Sequence, residues 1–270
     1  MQAASTVRAG NSHSRVRGIL LRLAGVGVLL GFWQLMAVLL PPSRLVGPWN
    51  AVSDLVHHYN NDPLISFFGF SAAGYGGLMY FTVRNVIVGV AVGGLCGVVG
   101  GVALARTERT RAATEPALVT LGTVPILAVM PLFVIWFGVA SYTSVILVAL
   151  YTTILLAQYA MRAAENLPPI YEARAKTCGA RMGTRVIRVL VPGVMPEILG
   201  GLRVALAFSW GLEVFAETLG APSGLGQGIQ ILSNTDNVQG ILAIVLLIAA
   251  VALLVDALLM AAARLLFRWR

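Results

Sequence analysis

Six apolar runs, each roughly long enough to cross a bilayer, constrain this 270-residue chain more than any other feature. About 20 residues at 1.5 Å rise span a hydrocarbon core, so an apolar stretch of that length is a membrane helix before it is anything else. The runs cover residues 19–40, 81–105, 117–137, 143–161, 198–219 and 241–266. Charged residues make up 11% of the chain and apolar ones 58%, against about 25% charged in a soluble globule. The expected fold is therefore all-α and polytopic, with six transmembrane helices. The first run is closed by Pro41 and Pro42 and lacks a small-residue cleavage site, so it is expected to stay as an anchor after a cytoplasmic tail, residues 1–18. Residues 41–80 form an extracytoplasmic loop, with a short amphipathic helix and then a flexible Gly-rich stretch at 69–77. A core of five spans occupies 81–270, with a cytoplasmic loop at 163–197.

The basic residues set the orientation. The net charge of +8 would suggest nucleic acid in a soluble protein, but the arginines gather on alternate loops, as short cytoplasmic loops require. Arg8, Arg15, Arg17 and Arg22 precede or open the first span, and Arg106, Arg109 and Arg111 follow the second. Arg162, Arg174, Lys176, Arg181, Arg185 and Arg188 lie between the fourth and fifth, and Arg264, Arg268 and Arg270 at the end. Both termini are expected in the cytoplasm, and the basic face is expected to meet lipid headgroups rather than nucleic acid. Lys176 is the single lysine and follows Ala175, so the phosphate-binding GxxxxGK[ST] loop is absent and ATP is not bound in that way. Cys96 and Cys178 have no metal or disulfide spacing, and the adjacent His57 and His58 lack the i,i+4 arrangement of a helical metal site. No constellation of nucleophile and base appears, so no catalytic residue, cofactor site or metal site is expected.

The loop after the fourth span carries the most specific pattern. Pro168-Pro169 ends that span, and Tyr171 to Leu190 recovers helical character with a basic face. The segment Glu172-Ala173-Arg174-Ala175-Lys176-Thr177-Cys178-Gly179-Ala180, followed by Val189-Leu190-Val191-Pro192, resembles the EAA loop of ABC importer permeases. Gly179, Ala175 and Pro192 take family places. Ala173 and Arg174 stand where the family has Glu and Ala, with Glu172 one residue early. The resemblance continues in Gly122 to Gly138, with Pro125, Pro131 and its Trp136-Phe137-Gly138 ending, and in Gly201-Leu202-Arg203, Trp210, Ala216-Glu217, Gly224-Leu225-Gly226, Asp256 and Arg268-Trp269. These are similar to the nitrate, taurine and alkanesulfonate subfamily.

The resemblance implies a type I ABC importer permease in the bacterial inner membrane, paired with a second copy of itself. It implies two copies of a cytoplasmic ABC ATPase that binds ATP and Mg, an extracytoplasmic substrate-binding protein, and a coupling helix ending at Gly179. It implies a small anion as substrate, a sulfonate, taurine or nitrate; the same pattern also includes permeases for thiamine precursors and other heterocycles. A secondary transporter driven by an ion gradient is the rival of another class, and the inverted repeats it would need are not found.

Glu213 and Glu217, four apart on the fifth span, share one helical face. A charge inside the bilayer needs a partner or a wet cavity. They are candidates, with the helix-bending Pro125 and Pro131, for the translocation path. Glu213 either lines that path, pairs with Arg84, or is a structural acid hydrogen-bonded in the bundle. In the last case Glu213→Leu is expected to be neutral or mildly stabilising.

Overall fold

The computed structural model describes residues 3–68, 74–105 and 107–266. Arg106, Arg268, Trp269 and Arg270, and residues 69–73 of the Gly-rich stretch, lie outside them. The described residues form helices and no strand, in the order α1 Ala3–Leu39, α2 Pro48–His58, α3 Pro63–Phe67, α4 Tyr75–Leu104, α5 Glu108–Thr123, α6 Ile126–Phe137, α7 Ser141–Glu165, α8 Pro169–Thr177, α9 Met182–Arg185, α10 Val191–Thr218, α11 Leu225–Asn234 and α12 Val238–Leu266. A π-helical turn, Val186–Leu190, joins α9 to α10. Five stretches are long and apolar enough to cross a membrane: Leu20–Leu39, Tyr75–Leu104, Ser141–Glu165, Met182–Thr218 and Val238–Leu265.

The expected third span, 117–137, is not one straight helix. It is divided between α5 and α6, which meet at 89°. Pro125 is the reason: it caps α6 from an extended conformation (φ −68°, ψ 95°), and Val124 before it is also extended, as a residue ahead of proline tends to be. With the bent pair counted as one crossing, six spans result. The other runs hold, with ends displaced. The second span begins at Tyr75 instead of residue 81, because Tyr75-Gly76-Gly77 continues the helix rather than the loop. The fifth extends back in helical form to Met182.

α4 and α7 form the centre of the bundle, and glycine brings them together. Gly89, Gly93, Gly97 and Gly101 recur every fourth residue and lie on one face of α4. A Cβ on Gly97 would come within 2.6 Å of the Thr153 carbonyl oxygen, one on Gly89 within 2.6 Å of Val148 Cγ1, and one on Gly93 would collide with the Ala149 backbone. Small residues on this repeat let two backbones approach where the bilayer supplies no hydrophobic force of its own. α10 packs on the other side through Leu206, Trp210 and Leu212 against Val86, Val90 and Val148. The α6 side chains Met130 and Phe133 pack with Leu147 and Ala216.

A cap closes one end of the bundle. Ile65, Tyr75, Leu78, Leu225, Leu232, Ala243, Ile244 and Leu247 form a core among α3, α4, α11 and α12. The Tyr75 hydroxyl donates to Asp54 Oδ2 at 2.9 Å, which ties α4 to α2, and within α2 His58 Nδ1 lies 3.1 Å from Asp54 Oδ1. α1 stands apart: its 20-residue membrane window buries none of its side chains in the chain, and Trp33 Nε1 donating to the Val46 carbonyl at 3.0 Å is one of its few anchors.

Candidate functional site

Two buried carboxyls organise the middle of the bundle. Glu213 and Glu217, both on α10 and both fully buried, find their partners on other helices. Glu213 Oε1 accepts from Asn85 Nδ2 on α4 and from Ser144 Oγ on α7, each at 2.8 Å. Its Oε2 has no partner among the described residues. Glu217 Oε1 accepts from Thr82 Oγ1 at 2.7 Å, and Oε2 from the Gly226 backbone N–H at 2.8 Å. Thr82 Oγ1 also accepts from the Leu225 N–H at 3.0 Å, and Gln227 Nε2 donates to the Glu217 carbonyl at 2.7 Å. One face of α10 is thereby fastened to α4, α7 and the first turn of α11. A carboxylate at a helix N-terminus is favoured by the free N–H groups there.

The sequence around the second clasp is built for it. Gly224 has φ 125°, and a Cβ there would run into the Glu217 carboxyl; one on Gly226 would strike the Val214 carbonyl. Arg84 does not reach Glu213. Its Nε and Nη2 donate to Asn85 Oδ1 at 3.3 and 3.1 Å, so the link from the arginine to the acid runs through the amide. Pro125 and Pro131 are exposed, whereas Glu213 and Glu217 are buried.

The loop between α7 and α10 places its own candidates on a short exposed helix. Glu172, Ala173, Arg174 and Ala175 fall in α8, whose end is a Schellman motif. The Ala180 N–H donates to the Ala175 carbonyl at 3.0 Å, and the Gly179 N–H to the Lys176 carbonyl at 3.0 Å. Gly179 sits at φ 72° with open space where a Cβ would stand, a conformation glycine adopts without the steric cost other residues meet. Ile170 and Tyr171 are 59% and 52% exposed at the start of α8.

The helical character expected over Tyr171 to Leu190 is interrupted at Cys178 to Arg181. Pro192 lies within a helix that runs from Met182 to Thr218. The π-helical turn just before it, where the Val191 N–H bonds the Val186 carbonyl, accommodates a residue that has no N–H to donate.

Thr82, Asn85 and Ser144 were not singled out by sequence. The signal was present: Thr82 and Asn85 continue the Gly89, Gly93, Gly97 face of α4 by steps of three and four. Polar residues on a tightly packed face require partners. Arg203 and Asp256, noted above only as family positions, form an ion pair between α10 and α12, Nε to Oδ1 at 2.8 Å and Nη2 to Oδ2 at 2.8 Å. His57 Nδ1 lies 2.7 Å from the Ser53 carbonyl, and among the described residues no three His, Cys, Asp or Glu side chains gather as metal ligands.

Residues 89–270 match the family described as "Binding-protein-dependent transport system inner membrane component". The chain belongs to this family. It is a permease subunit of an ABC importer, a transport subunit rather than an enzyme, and of the nitrate, taurine and sulfonate type. It is 28% identical over 255 residues to the taurine transport system permease protein TauC of Escherichia coli (strain K12), covering 94% of this chain and 90% of the relative. To the nitrate import permease protein NrtB of Synechococcus elongatus it is 28% identical over 201 residues, 74% of this chain and 71% of the relative.

A solved structure of the MetNI methionine ABC transporter, in an inward-facing conformation, matches with a TM-score of 0.60 at 16% identity. The match covers 68% of this chain and 92% of that one, and it shows the shared fold. The family match takes in α8, α10, α11 and both acids of this permease. Thr82 and Asn85, which hold those acids, lie upstream of it.

Proposed function

We propose that this permease passes a small anion, a sulfonate, taurine or nitrate, inward across the bacterial inner membrane. The likeness to TauC over 94% of the chain is the observation that carries the substrate class. ATP and Mg are held by a separate cytoplasmic ATPase, two copies of which serve a pair of permease chains, and an extracytoplasmic binding protein delivers the solute. The arginine-rich ends and loops support cytoplasmic termini.

Coupling follows from stiffness. α8 is short, exposed and locked at its end by the Gly179 cap. Its apolar Ile170 and Tyr171 suit a cleft in the ATPase rather than water. Movement of α8 reaches α10 across the short segment Cys178 to Arg181 and then one continuous helix. The Glu213 and Glu217 clasps make α10 carry α4, α7 and α11 with it, so these acids shape the wall of the path by holding its helices. The bend at Pro125 turns the third span along the same path.

The test is uptake of radiolabelled taurine and nitrate by cells that lack their own importers and carry this chain, its ATPase and its binding protein. Uptake is expected for at least one of the two, and it should vanish when the ATPase is inactivated. Normal assembly with no uptake of either solute or of an alkanesulfonate would overturn the substrate class.

A further inference from the structure

The chain folds back on itself after α1. The Arg44 and Leu45 N–H groups donate to the Pro41 carbonyl at 2.8 and 3.3 Å, and the segment that follows returns along the side of α1. There the Val46 carbonyl accepts from Trp33 Nε1 at 3.0 Å, and a Cβ on Gly47 would come within 2.8 Å of Gln34 Oε1. Trp33 lies six residues before Leu39, the end of the apolar window, or about 9 Å at 1.5 Å per residue. α2 therefore starts level with the last turns of α1 rather than beyond them. Its other contacts lie at the same height. The Asn50 carbonyl accepts from Gln239 Nε2, in the first turn of α12, at 3.2 Å, and Asp54 accepts from Tyr75, the first residue of α4. The whole of α2 thus runs beside the ends of three spans, where hydrocarbon gives way to water.

At 3.6 residues per turn the helix has three sides. Ala51 and Asp54 are buried, and Leu55 packs on the core of the cap, so this side faces the bundle. Trp49, Val52 and Val56, at i, i+3 and i+7, make an apolar stripe on the second side and are 78%, 41% and 70% exposed. Asn50, Ser53 and His57 repeat the same spacing one residue further round and make the third side polar. A helix with separate apolar and polar free sides, lying at the membrane surface, is the form that rests in the headgroup and acyl boundary. Trp49 has the side chain that gathers at that boundary. A protein approaching from water would meet the polar stripe before the apolar one. We propose that α2 is an interfacial helix that seats Trp49, Val52 and Val56 in the lipid of the adjoining leaflet and turns Asn50, Ser53 and His57 to water. Because α2 also holds the first turns of α4 and α12, this seat sets the depth of both spans in the bilayer.

The permease carrying Cys96→Ala and Cys178→Ala, assembled with its ATPase, is placed in nanodiscs of phosphatidylethanolamine and phosphatidylglycerol. A nitroxide is attached in turn through Val52→Cys, Val56→Cys, Asn50→Cys and His57→Cys. All four positions are exposed, so the label displaces no packed side chain, and recovery with the ATPase reports an intact fold. Collisions with oxygen, which concentrates in lipid, are compared with collisions with a water-soluble nickel chelate to give the depth of each label. Labels at positions 52 and 56 should lie about 5–10 Å into the headgroup and acyl boundary, whereas those at 50 and 57 should collide mainly with the chelate. Equal access of the chelate to all four labels would put α2 in water. Exclusion of both reagents from 52 and 56 would mean that a second copy of the chain covers the stripe, and loss of oxygen collisions there on adding the purified binding protein would make it that protein's docking face. Each of these three results would overturn the lipid seat.

Discussion

Replacing Glu213 by leucine separates a held acid from a merely tolerated one. In the native protein Oε1 receives Asn85 Nδ2 and Ser144 Oγ. With leucine in its place, Ser144 falls back on the Ser141 carbonyl at 3.0 Å. Asn85 cannot compensate in that way: its Oδ1 is held by Arg84, which fixes the amide, and the remaining acceptor for Nδ2 is Ser144 Oγ at 3.5 Å. One buried donor is effectively orphaned, which costs about 1–3 kcal/mol. Taking about 2 kcal/mol, and roughly 2–4 °C per kcal/mol for a chain of this order of size, the midpoint should fall by roughly 4–8 °C. Glu213→Gln keeps the acceptor at Oε1 and exchanges one unpartnered atom for another at Oε2, so its midpoint should change far less. Thermal unfolding of both purified variants, followed by tryptophan fluorescence with ATPase co-purification as a check of assembly, gives the comparison. A leucine variant as stable as the glutamine variant, or more so, would show that the Asn85 and Ser144 hydrogen bonds do not hold this part of the bundle.

Three further outcomes follow from other parts of the molecule. Gly224→Ala combines a left-handed φ of 125° with a Cβ directed into the Glu217 carboxyl, so it should displace the first turn of α11 and abolish uptake; wild-type uptake would refute the clasp. Gly179→Asp puts a charged side chain at φ 72° on the end of α8. The protein should insert normally, with transport lost and the ATPase co-purifying poorly, and full uptake by a well-expressed variant would remove α8 from the coupling path. A cysteine at the exposed Ser233 of α11 should react with an impermeant thiol reagent from outside intact cells, whereas exposed native Cys178 should react only after permeabilisation; the reverse pattern would invert the topology.

Apolar length alone made the spans legible, because a run of about 20 residues has few alternatives in a bilayer. What it could not give was the direction of the chain at Val124-Pro125. A proline inside an apolar run can kink a helix or divide it, and the outcome depends on the backbone before it. α11 falls between the expected fifth and sixth spans, where no long apolar run marks a helix and four glycines stand from Gly220 to Gly228. In the structure the first two of these have positive φ, and Gly226 and Gly228 sit where α11 packs closely against Glu217 and Leu78. Glu213 was legible as an unusual acid, but leucine looked harmless there because its partners are small polar residues 128 and 69 positions away in sequence. Their hydrogen bonds are the reason destabilisation is predicted for leucine.

The most direct measurement is taurine uptake into proteoliposomes holding this chain and its ATPase, with the binding protein outside and ATP either sealed inside or left out. Uptake should require internal ATP and the binding protein, and it should survive an ionophore that collapses proton and sodium gradients. Uptake that proceeds without the ATPase and stops when the gradient is collapsed would contradict an ATP-driven permease and return the chain to the ion-coupled carriers.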